Sequence, residues 1–299
     1  MIIITTQCFF PNIGGIESLM TGMAEAMSNA GKDVLVLADG KKTLNDKSKK
    51  YKIKRFNGWK PYRRRRKAIY LKKILTTNNV EAIYADSWKS VEHLKDINTK
   101  IIVLAHGTEI PKKYFDHFYT YLNIKKRRII KSYANCHKIA ANSAYTRDLM
   151  IASLKISSDK IKIIHPGIDI YEDFISNEDR QNVKKIIKDS SPIITTLARV
   201  EKRKGHKFVI DAIMELKSKF PNMLYLVAGK GPYLDEIKKH VRMLHLEKHI
   251  IFLGWITEPE QSLVLQSSDL FIMTPTTVGE SVEGFGMVFI DAAFHGISS

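Results

Sequence analysis

Short apolar runs alternate along the chain with longer segments in which apolar residues recur every three or four positions. The short runs predict buried strands, and the periodic segments predict amphipathic helices. This alternation is typical of an α/β fold with parallel sheets. In the first half, the predicted strands are residues 2–4, 34–38, 51–56, 82–85, 101–105, 139–143 and 161–164, and the predicted helices are residues 18–29, 63–75, 112–136 and 145–154.

The same alternation starts afresh after a polar segment at residues 171–189. We place a domain boundary within residues 168–190, so that residues 1–169 and 170–299 are predicted to form two doubly wound α/β domains. In the second half, the predicted strands are residues 193–198, 224–228, 250–253 and 270–273, and the predicted helices are residues 206–219, 233–243, 259–266 and 287–294.

Two carboxylates flank a glycine-rich turn near the end of the chain. Glu283 precedes a Gly-Phe-Gly turn at residues 284–286, and Asp291 lies in the apolar run that begins at Met287. Glycines suit a tight turn and a close approach of the backbone to a ligand, and the start of a helix favours an anion. This stretch is therefore a candidate ligand site. The alternative interpretation is a glycine turn before a core helix, with two solvated acids.

Other candidate residues follow predicted strands, which is where ligands bind in open parallel sheets. Gly14 and Gly15 follow the first strand, and His106 follows a later one. Arg199 and Lys204 follow the first strand of the second half and together could bind a pair of phosphates. A loop histidine without a role and a solvated run of charges are the alternatives. The next strands of the second half are followed by Gly229, Gly231 and Gly254.

The composition excludes several classes of protein. Hydrophobic residues make up 44% of the chain, and no apolar run reaches the roughly 18–20 residues of a membrane-spanning helix. The N-terminus has the pattern of a strand and not of a signal peptide. Two cysteines, Cys8 and Cys136, favour a reducing cytoplasm over a disulfide framework. Because no Cys/His cluster has zinc spacing and no Asp-x-Asp pair occurs, we predict no metal site.

The net charge of +17 is confined to the first half of the chain. Residues 1–169 contain 32 Lys and Arg against 14 Asp and Glu, whereas residues 170–299 contain 16 against 17. Basic runs occur at residues 63–67, which open a basic amphipathic helix, and at residues 125–128. The asymmetry indicates an anionic partner such as membrane headgroups, a phosphorylated acceptor or nucleic acid, with solubility alone as the alternative. We expect no nucleic acid partner, because no nucleic-acid-binding motif accompanies the basic runs.

Taken together, the motifs resemble those of the retaining glycosyltransferases of family 4, which have the GT-B fold. Each motif is weak by itself, but the set follows the family's order over nearly the whole chain. The matching segments are Gly14-Gly15-Ile16-Glu17, His106-Gly107, Asn142-Ser143 through Thr146-Arg147, Pro166-Gly167-Ile168-Asp169, Arg199 with Lys204-Gly205, Gly229-x-Gly231-Pro232, Gly254-Trp255 and Glu283-Gly284-Phe285-Gly286.

The resemblance implies two Rossmann-like domains that face a cleft, with the acceptor on residues 1–169 and the nucleotide sugar on residues 170–299. It implies a retaining, metal-independent transfer of a hexose or N-acetylhexosamine from a UDP- or GDP-sugar to a glycan or lipid-linked acceptor, in cell-envelope polysaccharide or glycolipid synthesis. The nucleotide sugar is the donor substrate, and no cofactor is expected. The protein would be cytoplasmic, with its basic half docked peripherally on the anionic inner face of the plasma membrane.

The resemblance also implies roles for single residues. Arg199 and Lys204 match the family's diphosphate-binding pair, and Glu283 matches the first acid of its E-x7-E motif, which contacts the donor sugar. Asp291 takes the place of the second acid, which binds the ribose. His106 matches an active-site histidine near the sugar, which we assign to sugar positioning and not to general base catalysis. The implied catalytic residues are Glu283, His106, Arg199 and Lys204, and the implied donor-binding residues are Gly14, Gly15, Arg199, Lys204, Gly231, Ile256, Glu283, Gly284, Phe285, Gly286, Met287, Val288 and Asp291.

The chain departs from the family pattern in two places. Asp291 is one methylene shorter than the glutamate of the family. The sequence ends at Ser299, before a strand, a glycine-rich loop and C-terminal helices that the family has, so we expect an incomplete second domain with weak stability or lost activity. The alternative function is an inactive or truncated relative that binds a nucleotide sugar or a polyanion without turnover, and a GT-B epimerase or phosphorylase fits the motifs less well. The sugar, the base, the acceptor and the oligomeric state stay open.

Overall fold

The computed structural model describes residues 1–12, 14–110, 120–167, 175–277, 283 and 285–299, and of residues 120–123 it describes the backbone alone. The chain divides into two compact units, the N-terminal unit Met1–Gly167 and the C-terminal unit Ile168–Ser299. Each unit is built on a parallel sheet with helices between successive strands, which confirms the predicted α/β fold class.

The N-terminal unit contains a seven-stranded sheet. Its elements in chain order are β1 (Ile2–Thr6), α1 (Gly15–Asn29), β2 (Val34–Asp39), a 3-10 turn (Leu44–Lys47), β3 (Lys52–Phe56), α2 (Lys60–Thr77), β4 (Ala82–Ala85), α3 (Trp88–Val91), β5 (Lys100–Ala105), α4 (Thr120–Ala134), β6 (Lys138–Ala141), α5 (Ala144–Leu154), a 3-10 turn (Ser158–Lys160) and β7 (Ile161–Ile163). The strands lie in the order β3-β2-β1-β4-β5-β6-β7. The carboxyl ends of β1, β4 and β5 therefore lie side by side near the middle of the sheet.

Helices cover both faces of this sheet, which explains why its strands are almost continuously apolar. Successive residues of a strand point to opposite faces. Ile3 of β1 belongs to the same buried cluster as Leu71 of α2, whereas Ile4 belongs to the cluster that contains Met20 of α1. The strands are thus packed between two layers of helices, which fixes the positions at which the following loops begin.

The C-terminal unit contains a four-stranded parallel sheet. Its elements are α6 (Asn177–Ile187), β8 (Ile193–Leu197), a 3-10 turn (Lys202–Lys204), α7 (His206–Leu216), β9 (Leu224–Ala228), α8 (Leu234–Met243), β10 (Ile250–Gly254), α9 (Glu258–Gln266), β11 (Leu270–Phe271) and α10 (Met287–Phe294). The strands lie in the order β10-β9-β8-β11. β8 is therefore a central strand, and its carboxyl end carries the loop that contains Arg199 and Lys204.

The structure differs from the predicted elements at a few positions. The polar segment at residues 171–189, where the domain boundary is predicted, contains α6. Ser176 and Asp179 form a capping box at the start of this helix, and Val183 packs against Leu263 and Val264. Of the helix predicted at residues 112–136, α4 accounts for residues 120–134, and residues 111–119 lie outside the described ranges. Strand pairing of the predicted 270–273 strand is limited to β11.

Among the helices in the described ranges, none combines the length and the apolar composition that crossing a bilayer requires.

Candidate active site

The turn that follows β1 is fixed by two buried charged side chains. Asp86, directly after β4, is buried, and its Oδ2 accepts hydrogen bonds from the Gln7 backbone N at 2.7 Å and the Thr6 hydroxyl at 3.1 Å. Lys67 of α2 donates from Nζ to the Thr6 carbonyl oxygen at 2.7 Å. The chain therefore leaves the sheet in a defined direction before it reaches the start of α1 at Gly15.

The basic run at residues 63–67, at the start of the predicted amphipathic helix, is only partly at the surface. Lys67 is 3% exposed, and its Nζ lies 2.7 Å from Asp39 Oδ1 at the end of β2. Arg63 pairs with the other oxygen of Asp39, also at 2.7 Å. Burial lowers the pKa of Lys67, and Asp39 opposes this shift. These two cations of the run thus tie α2 to the sheet, and Arg65 and Arg66 remain exposed.

His106 lies after β5, next to Asp86 at the end of the neighbouring strand. Its ring Nε2 lies 2.9 Å from the carbonyl oxygen of Asp86, and its backbone N donates to Glu109 Oε1 at 2.9 Å. Because a carbonyl oxygen can only accept, Nε2 carries the hydrogen, and in the neutral ring Nδ1 is left as an acceptor. The predicted role of His106 in sugar positioning requires an acceptor of this kind, and the role itself stays a prediction.

Gly14 and Gly15 form the entrance to α1. Gly14 is the N-cap residue, and its carbonyl oxygen accepts from the Ser18 backbone N at 2.9 Å. A Cβ on Gly14 would lie 2.4 Å from Oε2 of Glu17, so a side chain at this position would displace that carboxylate. Glycine at position 14 therefore gives the Glu17 carboxylate room beside the start of α1, and an anion that approaches this helix start meets that carboxylate.

In the C-terminal unit, the structure brings two predicted site residues into direct contact. Lys204, in the 3-10 turn after β8, donates from Nζ to Glu283 Oε2 at 2.6 Å. The same oxygen accepts from Nη1 of Arg203 at 2.9 Å. Arg203 is not among the residues predicted from the sequence. Arg203 and Glu283 are 80 residues apart in the sequence. Their side chains touch because the loop after β8 meets the segment before α10.

Arg199 joins this group through a second carboxylate. Its Nη1 lies 3.1 Å from Glu201 Oε1, and Nε of Arg203 donates to Glu201 Oε2 at 2.9 Å. Arg199 is 74% exposed, so it is accessible to a ligand and its pair with Glu201 is weak. The five residues form a chain of alternating charge, which we call the ion chain: Arg199, Glu201, Arg203, Glu283 and Lys204.

Close backbone packing holds the loop of the ion chain in place. Gly205 has a φ of +78°, and a Cβ there would lie 2.0 Å from the Thr274 carbonyl oxygen. A Cβ on Gly231 would lie 2.3 Å from the Val200 carbonyl oxygen. Only glycine fits at both positions. The predicted donor residue Gly231 therefore packs against the loop that carries Arg199 and Lys204.

Glu283 and Asp291 differ in protonation because their neighbours differ. Burial acts to raise the pKa of Glu283, but the hydrogen bonds and charges of Lys204 and Arg203 outweigh it and leave this pKa below its ordinary value. Burial raises the pKa of Asp291 to about 6, and the charge of Glu258 adds to the shift. Glu283 therefore stays ionised at neutral pH, whereas Asp291, with its pKa of about 6, titrates only slightly below neutral pH.

The remaining predicted donor residues surround the start of α10. Gly286 is its N-cap residue, and a Cβ built there would lie 3.8 Å from Cγ of Glu283, so the Glu283 side chain lies beside the helix start. Ile256 and Val288 pack on the same buried cluster below. Phe285 and Met287 flank Gly286, and Gly284 lies outside the described residues. No group of three or more potential metal ligands occurs in the part of the chain that the structure describes.

Comparison with known protein families covers most of the chain. Residues 13–172 match the family described as Glycosyltransferase Family 4, and residues 177–297 match the family described as Glycosyl transferases group 1. The first match alone spans more than half of the chain. The chain belongs to glycosyltransferase family 4.

Individual curated relatives are distant from this chain in sequence. The chain is 26% identical over 200 residues to the mannosylfructose-phosphate synthase of Agrobacterium fabrum, which covers 63% of this chain and 43% of that enzyme. It is also 26% identical over 203 residues to a GDP-mannose-dependent phosphatidylinositol monomannoside mannosyltransferase of Mycolicibacterium smegmatis, which covers 66% of this chain and 50% of that enzyme. The matches thus span about half the length of these curated relatives.

Solved structures show the fold. The crystal structure of Anabaena HepE in complex with UDP and glucose matches with a TM-score of 0.75 and 18% identity, and the match covers 99% of this chain and 79% of that one. The glycosyltransferase from Rickettsia africae matches with a TM-score of 0.74 and 19% identity, over 99% of this chain and 77% of that one. The family 4 chain therefore has the GT-B fold.

Three residues that contact predicted site residues or fix nearby turns within their own unit were not predicted from the sequence: Lys67 in the N-terminal unit, and Glu201 and Arg203 in the C-terminal unit. Lys67 follows the spacing of Leu71 and Ile74 on α2, so its place on the buried face could have been read from the helical period. Glu201 and Arg203 could not have been recognised in this way. They lie in a run of charged residues, and only their contacts in the folded protein distinguish them from exposed neighbours such as Lys202.

Proposed function

We propose that this protein is a retaining glycosyltransferase that moves a hexose or N-acetylhexosamine from a UDP- or GDP-sugar to a glycan or lipid-linked acceptor, in cell-envelope polysaccharide or glycolipid synthesis. The observation that carries the proposal is the 2.6 Å contact between Lys204 and Glu283 beside the start of α10. It joins Lys204, the cation that we propose binds phosphate, to an ionised carboxylate at a helix start, and a diphosphate sugar needs this combination at its charged end and its hydroxyl end.

The charged groups support a dissociative transfer. The bond between the sugar C1 and the diphosphate oxygen breaks, and Arg199, Lys204 and the helix start stabilise the negative charge of the leaving diphosphate. The acceptor hydroxyl forms the new bond on the face that the diphosphate leaves, and its proton passes to the departing phosphate oxygen. This route retains the configuration at C1.

Neutral and ionised acceptors would orient the sugar. Glu283 accepts hydrogen bonds from sugar hydroxyls because its neighbours keep it ionised. When its ring is neutral, His106 would contribute Nδ1 as an acceptor, because Nε2 lies against the carbonyl oxygen of Asp86. Gly14 and Gly15 offer backbone N–H groups to the diphosphate. In the nucleotide, Asp291 would bind the ribose and Ile256 would lie near the base.

The donor class is supported by relatives. The Mycolicibacterium smegmatis relative is GDP-mannose-dependent by its name, and HepE was crystallised with UDP and glucose. The acceptor of the former is a phosphatidylinositol glycolipid by its name. We therefore propose a UDP- or GDP-sugar donor, and we favour a lipid-linked acceptor for the basic N-terminal unit.

The surface of α2 supports docking at an anionic membrane. Tyr62, Arg66, Ile69 and Lys73 recur at helical spacing on one exposed face, and Trp59 before the helix is 76% exposed. Cations with aromatic and aliphatic side chains on one face are typical of helices that lie in a membrane interface. We propose that the protein acts at the cytoplasmic side, bound peripherally to the inner face of the plasma membrane.

Donor turnover tests the proposed function. Purified protein is incubated with a panel of UDP- and GDP-sugars and a lipid extract, and release of the nucleoside diphosphate is measured. We expect turnover with one donor, and Glu283→Gln should lower kcat on the order of a hundredfold because it removes the carboxylate that faces the sugar.

The matched control is Glu215→Gln, an exposed glutamate on α7, which should leave kcat unchanged. Proton NMR of the product should show the anomeric configuration of the donor. Binding of nucleotide without release of sugar from any donor would instead identify an inactive relative.

A further inference from the structure

Arg203 occupies a central position in the ion chain. Its guanidinium donates through Nη1 to Glu283 and through Nε to Glu201, at 2.9 Å in both cases. The side chain is only 19% exposed. Its carbonyl oxygen accepts from the Thr276 backbone N at 2.7 Å, so the main chain is fixed to the segment after β11.

Both cations assigned to the diphosphate have carboxylate partners in this structure. Lys204 contacts Glu283, and Arg199 contacts Glu201. A diphosphate that binds Lys204 and Arg199 competes with these carboxylates. The contact of the exposed Arg199 is easily exchanged, because surface ion pairs contribute little free energy.

The exchange at Lys204 has a larger consequence. The side chain of Glu283 is only 24% exposed, and the ionised form of a largely buried carboxylate is destabilised when its counter-ion leaves. Such a carboxylate would take up a proton, which removes part of its capacity to accept hydrogen bonds, or it would turn towards water and away from the sugar. A second cation on the same oxygen prevents both changes, and Arg203 is that cation among the described residues.

We propose that Arg203 is a positioning residue that holds Glu283 in place when Lys204 transfers from Glu283 to the donor diphosphate. The inference rests on the proposed function and deepens it, because it assigns the sugar end and the phosphate end of the donor to different cations. The planar guanidinium bridges two carboxylates through separate nitrogens, which a lysine ammonium does not reproduce. Arg203 thus acts on the sugar through Glu283 and does not itself bind phosphate.

The test compares Arg203→Gln with Lys204→Gln, Arg203→Lys and the matched control Lys202→Gln, a neighbouring exposed cation of the same 3-10 turn. Calorimetry measures the Kd of UDP, GDP and pyrophosphate. Carbon-13 NMR of labelled glutamate, assigned with Glu283→Gln, follows the titration of Glu283 with and without nucleotide. Thermal melts confirm that each variant is folded.

We expect Arg203→Gln to change the Kd of the nucleoside diphosphate less than threefold and to lower kcat at least tenfold. The pKa of Glu283 in the nucleotide-bound variant should lie above that of the bound wild type, and the acidic limb of kcat should shift to higher pH with it. Lys204→Gln should weaken nucleotide binding at least tenfold, Arg203→Lys should recover part of kcat, and Lys202→Gln should match the wild type.

Two results would overturn the inference while the proposed function stands. One is an equal loss of nucleotide affinity in Arg203→Gln and Lys204→Gln, which would make Arg203 a phosphate ligand. The other is an unchanged titration of Glu283 in nucleotide-bound Arg203→Gln. If nucleotide binds but no donor is turned over, the proposed function fails, and the titration still decides the role of Arg203. If neither nucleotide nor pyrophosphate binds, both fail together.

Discussion

At the scale of single residues, two half-buried carboxylates in one unit respond to their surroundings in opposite ways. Glu283 has Lys204 and Arg203 within hydrogen-bond distance, whereas the charge that Asp291 experiences is that of another acid, Glu258. Carboxylates whose pKa values are moved apart in this way are typical of sites in which the two groups have different tasks. Glu283 is suited to a permanent charge, and Asp291 to a charge that depends on pH.

Nucleotide binding should therefore depend on pH through Asp291. An ionised carboxylate accepts hydrogen bonds from both ribose hydroxyls, and protonation removes part of this capacity. Because burial raises the pKa of Asp291 to about 6, we expect the Kd of UDP or GDP to rise several-fold between pH 7.5 and pH 5. In Asp291→Asn the Kd should be higher at pH 7.5 and nearly flat over this range. Equal pH profiles of the two proteins would exclude Asp291 from the nucleotide site.

The same group gives a stability prediction with a defined sign. The folded pKa of Asp291, about 6, lies above the ordinary value of 3.8, so the folded protein binds the proton more tightly than the unfolded chain. Stability from this group is complete below pH 3.8 and is lost as the pH rises through 6. Asp291→Asn should therefore raise the free energy of unfolding at pH 8 by about 1 kcal/mol, a figure reduced for partial exposure, and by much less at pH 4.5. Urea unfolding at both pH values measures the difference.

At the scale of elements, α2 is attached to the sheet by charge as well as by apolar packing. Lys67 lies one turn from Leu71 and two turns from Ile74, all on the buried face of the helix. Its ammonium reaches Asp39 of β2 and the Thr6 carbonyl oxygen of β1. The contact therefore links a helix to two adjacent strands at the edge of the sheet where the candidate site residues lie.

Breaking the contact between Lys67 and Asp39 should lower stability by more than the loss of an exposed charge would, because Lys67 is buried. Lys67→Met leaves Asp39 with Arg63 alone and removes the donor to Thr6, so we expect a loss of about 2–3 kcal/mol in the free energy of unfolding. Arg66→Met, a cation of the same run on the exposed face, is the control and should change stability by less than about 0.5 kcal/mol. If both variants changed the free energy of urea unfolding equally, the buried contacts of Lys67 would contribute no more to stability than an exposed cation does.

Most strands and helices could be predicted from the sequence, because the pattern of apolar residues within each segment determines its secondary structure. Apolar runs and helical periods identified the strands and most of the helices. α6 was missed because its composition is polar, although the Ser176–Asp179 capping box marked its start. The contacts of Glu283 with Lys204 and Arg203 join residues 79 and 80 positions apart, and no local pattern encodes which loop a side chain meets. The sequence could thus suggest site residues but not their partners.

At the scale of the whole molecule, the charge is unevenly divided. The excess of basic residues lies in residues 1–169, and residues 170–299 are close to neutral. Several of the basic residues are used inside the N-terminal unit: Arg55 pairs with Asp46, Lys67 and Arg63 with Asp39. The exposed cations of α2, by contrast, lie together with exposed apolar side chains. An anionic lipid surface satisfies both kinds of group.

Vesicle flotation at low and high salt tests this docking surface. The fourfold variant Arg65→Gln, Arg66→Gln, Lys72→Gln, Lys73→Gln removes four exposed cations of α2. At about 1 kcal/mol for each cation near an anionic surface, the partition coefficient onto vesicles with phosphatidylglycerol should fall by at least a hundredfold. The control removes the same charge from exposed lysines of the C-terminal unit, as Lys184→Gln, Lys185→Gln, Lys239→Gln, Lys248→Gln, and should bind like the wild type. An equal loss in both variants would mean that net charge and not the α2 face governs binding, and no flotation of the wild type at low salt would remove the membrane from the proposed function.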